Sequence, residues 1–391
     1  MSRPVAVVGG GIVGTSVTVH LAERADRPVV LFEREGDLAA GTTAASLATW
    51  RTTPTEDDPL SRMKRYGMEY YNRLLADHPA RFELVGQLEV ATTDEGADDL
   101  RALATGGAPA TQAAEFLTPE ALRRTVPVPN LTTALSGALY RPFLGYFDAG
   151  ALAEAMAARA TERGATVEHG TEVTGLRTDG DQVTGVVADG ETVDAAAVVL
   201  AAGASTPRLA RSVGVDLPTR YTAGYTATFE PIRPLSTRLP KLDHHESPVG
   251  FRGADGGRAV AYRTGPTADV GEYYDTAVAD PRELPTDGVP DEVLDSFRTV
   301  ADRLVPPLAG GELVDSAAAP LSRTPDGRPV AGWTAWPGLS VVALHAAGVQ
   351  LAPALGDVVA RQLLDGEPTE LHDALTPSRF GGGEAQFTVD G

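Results

Sequence analysis

The stretch from Val5 to Gly14 constrains the fold of this chain more than any other. Four apolar residues typical of a buried parallel strand are followed by Gly9, Gly11 and Gly14 at the spacing GxGxxG. The first glycine permits a tight turn, the second lets backbone amides approach a pyrophosphate, and the third lets helix and strand pack closely. We expect residues 15–24 to continue as a helix whose N-terminus favours an anion.

A second apolar run over 29–32 ends at Glu33, which follows Gly9 by 24 positions. A carboxylate at the end of the second strand hydrogen-bonds a ribose diol and disfavours the 2′-phosphate of NADP. The chain therefore has a strand, a glycine turn, a helix, a second strand and an acidic residue in this order. This order predicts the βαβ unit of a dinucleotide-binding domain rather than a purely structural glycine loop.

Composition narrows the class of protein. The 391 residues are enough for two domains or one large α/β body, and the net charge of −20 argues against nucleic acid and anionic membrane surfaces as partners. The chain has no cysteine, which excludes thiolate metal sites and cysteine nucleophiles. No stretch reads as a transmembrane helix, so we expect a cytoplasmic protein.

Periodicity gives a coarse outline of the rest. We expect helices over 61–77, 149–163 (capped by Asp148), 290–305 and 354–365. Residues 165–200 predict a compact strand meander with turns at Asp179-Gly180 and Asp189-Gly190. Alternating, aromatic-rich residues over 215–275 predict an antiparallel sheet that could form an active-site wall. The glycines from Gly381 onward predict a loose tail.

Seven segments along the chain together carry a family resemblance. They are Gly9 to Gly14, Glu33-Arg34, Gly41-Thr42-Thr43, Gly145 to Asp148, Val198 to Ser205, Thr324 to Pro329 and Gly348 to Pro353. In this order they resemble the FAD-dependent superfamily of D-amino-acid oxidase, sarcosine oxidase and glycine oxidase, over nearly the whole chain.

The resemblance implies a set of FAD contacts. They are Gly9, Gly11, Ile12, Val13, Gly14, Glu33, Arg34, Gly41, Thr42, Thr43, Val173, Ala202, Gly203, Gly348, Val349, Gln350 and Leu351. Val173, Ala202 and Gly203 are expected at the adenosine half. The segment from Gly348 to Leu351 is expected as a helix N-terminus directed at the pyrimidine end of the isoalloxazine, where it stabilises negative charge on reduced flavin.

The resemblance also implies how FAD is attached. In related dehydrogenases Gly-Thr-Thr is followed by Trp-His, whose histidine can hold flavin covalently, whereas Ala44-Ala45 stands here. We therefore expect non-covalent FAD, with His345 as the alternative for a histidyl link.

Six residues are candidates for contact with the substrate. Arg51 matches a substrate-side arginine of sarcosine-oxidase-like proteins, and the others are Arg263, Arg323, His345, Tyr225 and Tyr262. Each of these six residues also has a competing structural interpretation: a salt bridge, a solvated face or ordinary core packing. The arginine that glycine-oxidase-like members carry before the Thr-Pro-Asp-Gly turn is Leu321 here, and a family lysine corresponds to Gln350, which points to a modified or larger substrate.

The resemblance implies an FAD-dependent oxidase or dehydrogenase that oxidises a C–N bond of an amine, amino acid or amine-containing metabolite by hydride transfer to flavin N5. Oxygen or another acceptor would reoxidise the flavin. Two alternatives stay open. One is a flavin-bearing electron-transfer subunit or non-catalytic FAD scaffold, and the other is an NAD(P)H-dependent FAD hydroxylase.

The expected architecture is α/β: a Rossmann-like FAD/NAD(P)-binding domain of three-layer ββα type with an inserted α+β substrate domain on an antiparallel sheet. The discontinuous FAD-binding domain would gather 1–85, 145–215 and 320–375. Residues 86–144 and 216–319 would form the substrate domain, and 376–391 a tail.

Overall fold

The computed structural model describes residues 2–51, 57–105, 114–126, 131, 135–236, 239–263, 277–344, 347–366 and 368–389. The strands, numbered in chain order, are β1 (Val5–Val8), β2 (Val29–Phe32), β3 (Thr49–Arg51), β4 (Phe82–Leu84), β5 (Gln87–Ala91), β6 (Glu115–Leu117), β7 (Gly137–Arg141), β8 (Leu144–Phe147), β9 (Thr166–Glu168), β10 (Val173–Asp179), β11 (Gln182–Ala188), β12 (Glu191–Asp194), β13 (Ala197–Leu200), β14 (Arg220–Glu230), β15 (Lys241–His244), β16 (Val249–Gly253), β17 (Ala259–Arg263), β18 (Glu312–Arg323), β19 (Val330–Trp333) and β20 (Leu339–Ala343).

The helices, numbered in the same way, are α1 (Ile12–Ala22), α2 (Pro59–Asp77), α3 (Asp94–Thr105), α4 (Pro119–Thr125), α5 (Ala149–Glu162), α6 (Thr206–Arg211), α7 (Asp291–Leu304), α8 (Pro306–Ala309), α9 (Gly348–Asp365) and α10 (His372–Leu375). Short 3-10 turns occur at Gly203–Ser205, Asp255–Gly257, Pro281–Glu283 and Pro377–Phe380.

The nucleotide-type sheet has six strands in the order β19-β20-β13-β1-β2-β9. β1 pairs in parallel with β2 and with β13, and all four of its residues are buried, as expected for a central strand covered on both faces. Helix α1 is buried on all sides from Ile12 to Leu21 and packs against α5 and α9 on one face of the sheet.

The strand meander β10-β11-β12 covers the opposite face of this sheet, which produces the three-layer ββα arrangement expected from the sequence. Its turns lie where they were expected, with positive φ at Gly180, Asp189 and Gly190. The expected cap of α5 is confirmed, since the side chain of Asp148 accepts a hydrogen bond from the amide of Ala151.

The second large sheet has eight strands in the order β18-β14-β17-β16-β15-β5-β7-β6. The sequence predicted an antiparallel sheet, but the pair β15 and β5 is parallel. Helix α7 buries Val293, Phe297 and Val300 against one face. A three-stranded sheet, in the order β3-β8-β4, places β8 between two strands that precede it in the chain. The domain boundaries given above stay a prediction.

Helix α9 begins at Gly348, where the family resemblance implied a helix N-terminus, and earlier than the start near residue 354 expected from the sequence pattern. Proline lacks an N–H, so it leaves the carbonyl of Val349 without its intrahelical donor. The hydroxyl of Tyr71 donates to that carbonyl over 2.7 Å. A side chain from α2 therefore replaces the missing bond and lets the helix pass through the proline.

The tail is packed, which corrects the expectation of a loose segment. The indole N–H of Trp333 donates to the carbonyl of Phe387 over 3.0 Å, and the amide of Val389 donates to the carbonyl of Leu363 over 2.9 Å. Arg379 also binds Asp326 over 2.9 Å. The glycines turn the chain, and these contacts hold it against the nucleotide-type sheet.

Within the described ranges, no helix is both long enough and apolar enough to cross a membrane.

A buried histidine joins α1 to α2. The Nδ1 of His20 lies 2.8 Å from the carbonyl of Ser16, so Nδ1 carries the proton, and Nε2 accepts from the Tyr66 hydroxyl at 3.2 Å. The ring stacks on Tyr70. Burial lowers the pKa of His20 to about 4.

This histidine predicts an acid-dependent loss of stability. Because the unfolded chain binds the proton with an ordinary pKa near 6.5, the free energy of unfolding should fall as the pH drops from about 6.5 toward 4, by up to about 3 kcal/mol. Urea unfolding across this pH range measures the slope. His20→Asn should remove that part of the slope, whereas His169→Asn, at an exposed position, should leave it unchanged. Equal slopes in wild type and His20→Asn would contradict the assignment.

Candidate functional site

The glycine turn after β1 leaves no room for side chains. Gly9 has φ of 108°, and a Cβ there would lie 2.7 Å from the carbonyl oxygen of Ala201 in the loop after β13. A Cβ on Gly14 would lie 1.7 Å from the carbonyl oxygen of Gly9. Gly14 is therefore required for the close packing of α1 against the end of its strand, and Gly9 for the close approach of the loop after β13.

The N-terminus of α1 is available to an anion. Its N-cap residue, Gly11, makes no side-chain cap within the described residues. The amide of Ile12 donates to the hydroxyl of Thr43 over 3.2 Å. Val13 follows in the first turn and is buried. The following amides of this turn lie at the positive end of the helix dipole, which fits a pyrophosphate.

Glu33 is held above the glycine turn. Its Oε2 accepts from the amide of Gly10 over 2.6 Å and its Oε1 from the amide of Glu35 over 2.9 Å. The adjacent Arg34 forms an exposed ion pair with Glu35 and not with Glu33. Glu33 therefore presents a fixed, nearly buried carboxylate at the end of β2, where a ribose diol would need an acceptor.

The segment Gly41 to Thr43 connects this turn to the second sheet. A Cβ on Gly41 would meet no described atom within 4 Å, so the backbone is open to a ligand. The hydroxyl of Thr42 donates to the carbonyl of Pro320 in β18 over 3.1 Å.

The expected adenosine-side positions lie beside the meander. Val173 opens β10 and is buried. Ala202 and Gly203 follow β13, and Gly203 has φ of 55° with open space at its Cβ position. The hydroxyl of Tyr221 in β14 donates to the neighbouring carbonyl of Ala204 over 3.1 Å.

The N-terminus of α9 is the second candidate for flavin contact. Ala347 precedes it in the left-handed region, with φ of 55°, and makes no side-chain cap within the described residues. Val349, Gln350 and Leu351 are buried in the first turn. The side-chain amide of Gln350 donates to the carbonyl of Thr49 over 2.7 Å, which anchors the helix to β3.

Two of the six substrate candidates fall outside what can be described. His345 lies outside the described residues. For Arg51, only the backbone is described, in β3 opposite Leu144. Their predicted roles stay predictions.

The other candidates lie on different faces of the eight-stranded sheet. Tyr225 lies opposite Arg263 in the pairing of β14 with β17 and packs in the core beneath α7. Because neighbouring residues on a strand point to opposite faces, Tyr262 lies on the other face. Burial raises the pKa of Tyr225, while the Arg263 charge lowers it. Arg323 is buried in β18 and donates to the hydroxyl of Thr222 over 3.2 Å.

Tyr262 belongs to a buried polar network that sequence reasoning missed. Its hydroxyl donates to Oδ1 of Asp243 over 2.8 Å, while Lys241 Nζ and Gln87 Nε2 each donate to that carboxylate over 2.5 Å. Burial alone would raise the pKa of Asp243, but the Lys241 charge and these hydrogen bonds hold it below its usual range. The sequence signal that could have indicated this network is the spacing of Lys241 and Asp243, because alternate residues of a strand lie on the same face.

Arg252 and Tyr146 were also missed as a pair. The Arg252 guanidinium carbon lies 5.2 Å from the centre of the Tyr146 ring. Burial lowers the pKa of Arg252, and it raises the pKa of the Tyr146 hydroxyl to about 12, which keeps that hydroxyl protonated. Tyr146 stands in the Gly145 to Asp148 motif, but no sequence signal joins it to Arg252.

The family of FAD-dependent oxidoreductases named DAO matches residues 4–362. The chain belongs to the DAO family. Within the described ranges, no three His, Cys, Asp or Glu side chains are grouped to hold a metal ion.

Three similar proteins illustrate the relation of this DAO-family chain to known members. It is 26% identical to human mitochondrial dimethylglycine dehydrogenase over 96% of this chain and 44% of that protein. It is 28% identical to the formaldehyde-forming 4-methylaminobutanoate oxidase of Paenarthrobacter nicotinovorans over 96% of this chain and 45% of that protein. The chain therefore spans less than half the length of these curated relatives.

A solved glycine oxidase from Geobacillus kaustophilus superposes with a TM-score of 0.73 at 26% identity, covering 92% of this chain and 94% of that one. The Rossmann-like fold expected for a DAO-family chain is thereby confirmed. The residues present fit FAD, because a helix N-terminus without an N-cap side chain, a buried carboxylate acceptor and open glycine backbone lie together.

The glycine turn gives a direct test of cofactor binding by this DAO-family protein. Gly9→Ala should weaken FAD affinity at least about tenfold, because the methyl group must displace the backbone at Ala201. FAD fluorescence titration of apoprotein measures the dissociation constant, with circular dichroism as a check on folding. Gly36→Ala is the matched control, since a Cβ there would meet no described atom within 4 Å. Equal affinities of the two variants would contradict the assignment.

Proposed function

We propose that this protein is an FAD-dependent oxidase or dehydrogenase that oxidises a C–N bond of a small amine, amino acid or amine-containing metabolite. The observation that carries the proposal is the junction between the nucleotide turn and a polar sheet face. Thr42 bonds to β18 of the eight-stranded sheet, and Gln350 bonds to β3 of the three-stranded sheet, so each expected flavin-contacting segment is tied to a sheet outside the nucleotide-type sheet. The names of the similar proteins support a substrate containing an amine.

FAD supplies the hydride acceptor when bound, through its N5 atom. The task of the chain is to position the substrate, because a reacting C–H bond must be held close to its acceptor in a fixed orientation. We infer that the face bearing Tyr262 and the Asp243 network forms the substrate wall. Tyr262 and Lys241 are both committed to Asp243, so this network acts as a rigid support for it.

The uncapped N-terminus of α9 would stabilise negative charge that develops during reduction. We propose that Gly348 to Leu351 supply backbone amides for this purpose. We also propose that the enzyme works in the cytoplasm with oxygen or another electron acceptor.

The first prediction concerns attachment of the cofactor. FAD should leave the protein intact on acid precipitation, because Ala44-Ala45 stands where related dehydrogenases carry Trp-His. The absorption spectra of supernatant and pellet measure this. Yellow colour retained in the pellet would contradict non-covalent binding and direct attention to His345.

The second prediction concerns the reaction. Anaerobic addition of N-methyl amino acids, primary amino acids or simple amines should bleach the flavin absorbance with one of these classes. The same compounds with the amine replaced by hydroxyl are the matched controls and should not bleach it. Bleaching without peroxide formation in air indicates a dehydrogenase. A flavin that no amine reduces would overturn the proposal in favour of a scaffold or, if NAD(P)H reduces it, a hydroxylase.

A further inference from the structure

Four oxidisable aromatic rings form a continuous series through β3 and α2. The series runs in the order Trp50, Tyr71, Tyr70 and Tyr66, and the centres of successive rings are 6.3, 6.3 and 6.4 Å apart. Rings at these separations are in contact, so an electron can pass between them rapidly. Indole and phenol are the aromatic side chains that lose an electron most easily, and the chain has no cysteine thiol to compete with them. The series is therefore a path for a hole, the vacancy left by one lost electron.

The inner end of the series borders the first turn of α9. The hydroxyl of Tyr71 donates to the carbonyl of Val349 over 2.7 Å. Trp50 is buried in β3 next to Thr49, whose carbonyl accepts from the side chain of Gln350 over 2.7 Å. This turn is the segment that we propose as a flavin contact. Trp50 and Tyr71 therefore lie at the flavin end of the series.

The outer end of the series has a proton acceptor. Tyr66 is half-buried, and its hydroxyl lies 3.2 Å from Nε2 of His20. Because Nδ1 of His20 carries the ring proton, Nε2 can accept another. Burial lowers the pKa of His20 to about 4, but a phenol that has lost an electron is a far stronger acid than an imidazolium. An oxidised Tyr66 can therefore pass its proton to His20 and persist as a neutral radical.

The two middle rings have no such base. The hydroxyl of Tyr70 is buried with no hydrogen-bond partner in the described part of the chain, and that of Tyr71 donates to a backbone carbonyl. Burial raises the pKa of both hydroxyls, so both keep their protons. A hole can cross these rings but is not trapped on either. An unpaired buried hydroxyl costs about 1–3 kcal/mol, so packing alone favours phenylalanine over Tyr70.

We propose that Trp50, Tyr71, Tyr70 and Tyr66 form a hole-transfer chain that carries oxidising equivalents from the flavin site to Tyr66. This activity is separate from the proposed amine oxidation. It uses a strong one-electron oxidant at the flavin site, either FAD excited by light or a radical derived from oxygen.

Each transfer is balanced in electrons and protons. The oxidant takes one electron from the Trp50 indole, and one electron then moves from Tyr66 through the middle rings to restore Trp50. The phenolic proton of Tyr66 moves to Nε2 of His20. The oxidant has then gained one electron, and Tyr66 has lost one electron and one proton. A reductant in solution, such as ascorbate, returns the electron to the half-buried Tyr66, and His20 returns the proton.

Blue light applied to the FAD-loaded protein, without substrate or oxygen, tests the chain. Excited FAD is the oxidant, and time-resolved electron paramagnetic resonance measures the yield of tyrosyl radical. The wild type should form this radical after each light pulse. Tyr70→Phe and Trp50→Phe should each lower the yield at least about tenfold, because phenylalanine is much harder to oxidise and raises the barrier to transfer.

Both substitutions are compatible with the fold. Each removes a polar atom, the Tyr70 hydroxyl or the Trp50 indole nitrogen, that has no hydrogen-bond partner among the described residues. FAD absorbance and circular dichroism check that cofactor and fold are retained, and Tyr70→Phe alone decides where Trp50→Phe loses FAD. The matched control is Tyr140→Phe, which removes a phenol from β7 and should leave the yield unchanged.

Wild-type radical yield in Tyr70→Phe would overturn the chain, as would the absence of a tyrosyl radical in wild-type protein that holds FAD. Because light replaces the substrate, the result is distinguishable from failure of the proposed function. A radical that is lost in Tyr70→Phe, in a protein whose flavin no amine bleaches, would support the chain and overturn only the amine-oxidation proposal. Flavin bleaching by an amine together with wild-type radical yield in Tyr70→Phe would overturn the chain alone.

Discussion

The close packing of α1 against β1 is the constraint on which the rest of the structure depends. It exists because Gly14 lacks a side chain, since a Cβ there would lie 1.7 Å from the carbonyl oxygen of Gly9, and the absence of a side chain on Gly9 lets the loop after β13 approach the same turn. This approach brings the N-terminus of α1 to the ends of three parallel strands, β1, β2 and β13. The carboxylate of Glu33 and the open backbone after β13 then face the same anion site, as in other open α/β sheets.

Long-range hydrogen bonds connect the nucleotide unit to the eight-stranded sheet, to the small sheet and to α2. Thr42 reaches Pro320 in β18, Gln350 reaches Thr49 in β3, and Tyr71 in α2 reaches Val349. Each bond joins residues about three hundred positions apart in sequence. Side chains from one segment thus satisfy backbone groups of another, which fixes the N-terminus of α9 against β3 and α2, and the segment of Thr42 against β18.

The sequence pattern correctly predicted turns and caps that depend on neighbouring residues in the chain. The glycine turn, the Asp-Gly turns of the meander and the cap at Asp148 each depend on a few adjacent residues. The sequence pattern placed the start of α9 near residue 354, whereas the resemblance placed a helix N-terminus at Gly348 to Leu351, as the structure has it. The Tyr71 hydroxyl that compensates for Pro353 inside this helix is not visible in the local sequence. Tyr225 and Tyr262 looked equivalent, yet strand register places them on opposite faces. Register depends on long-range pairing, which single-sequence patterns do not determine.

The buried polar groups on the face of Tyr262 could not be identified from the sequence. An arginine in a strand is usually exposed to solvent. Arg252 is instead covered by Tyr146 of the small sheet β3-β8-β4, and burial lowers its pKa. Beside it, Asp243 neutralises Lys241 and accepts hydrogen bonds from three side chains, so the charges of that network are paired, although Oε1 of Gln87 has no partner among the described residues. The Nε of Arg252 and the hydroxyl of Tyr146 also have no acceptor among the described residues. A buried group that has its partners stabilises the sheet, whereas a buried donor without one costs about 1–3 kcal/mol.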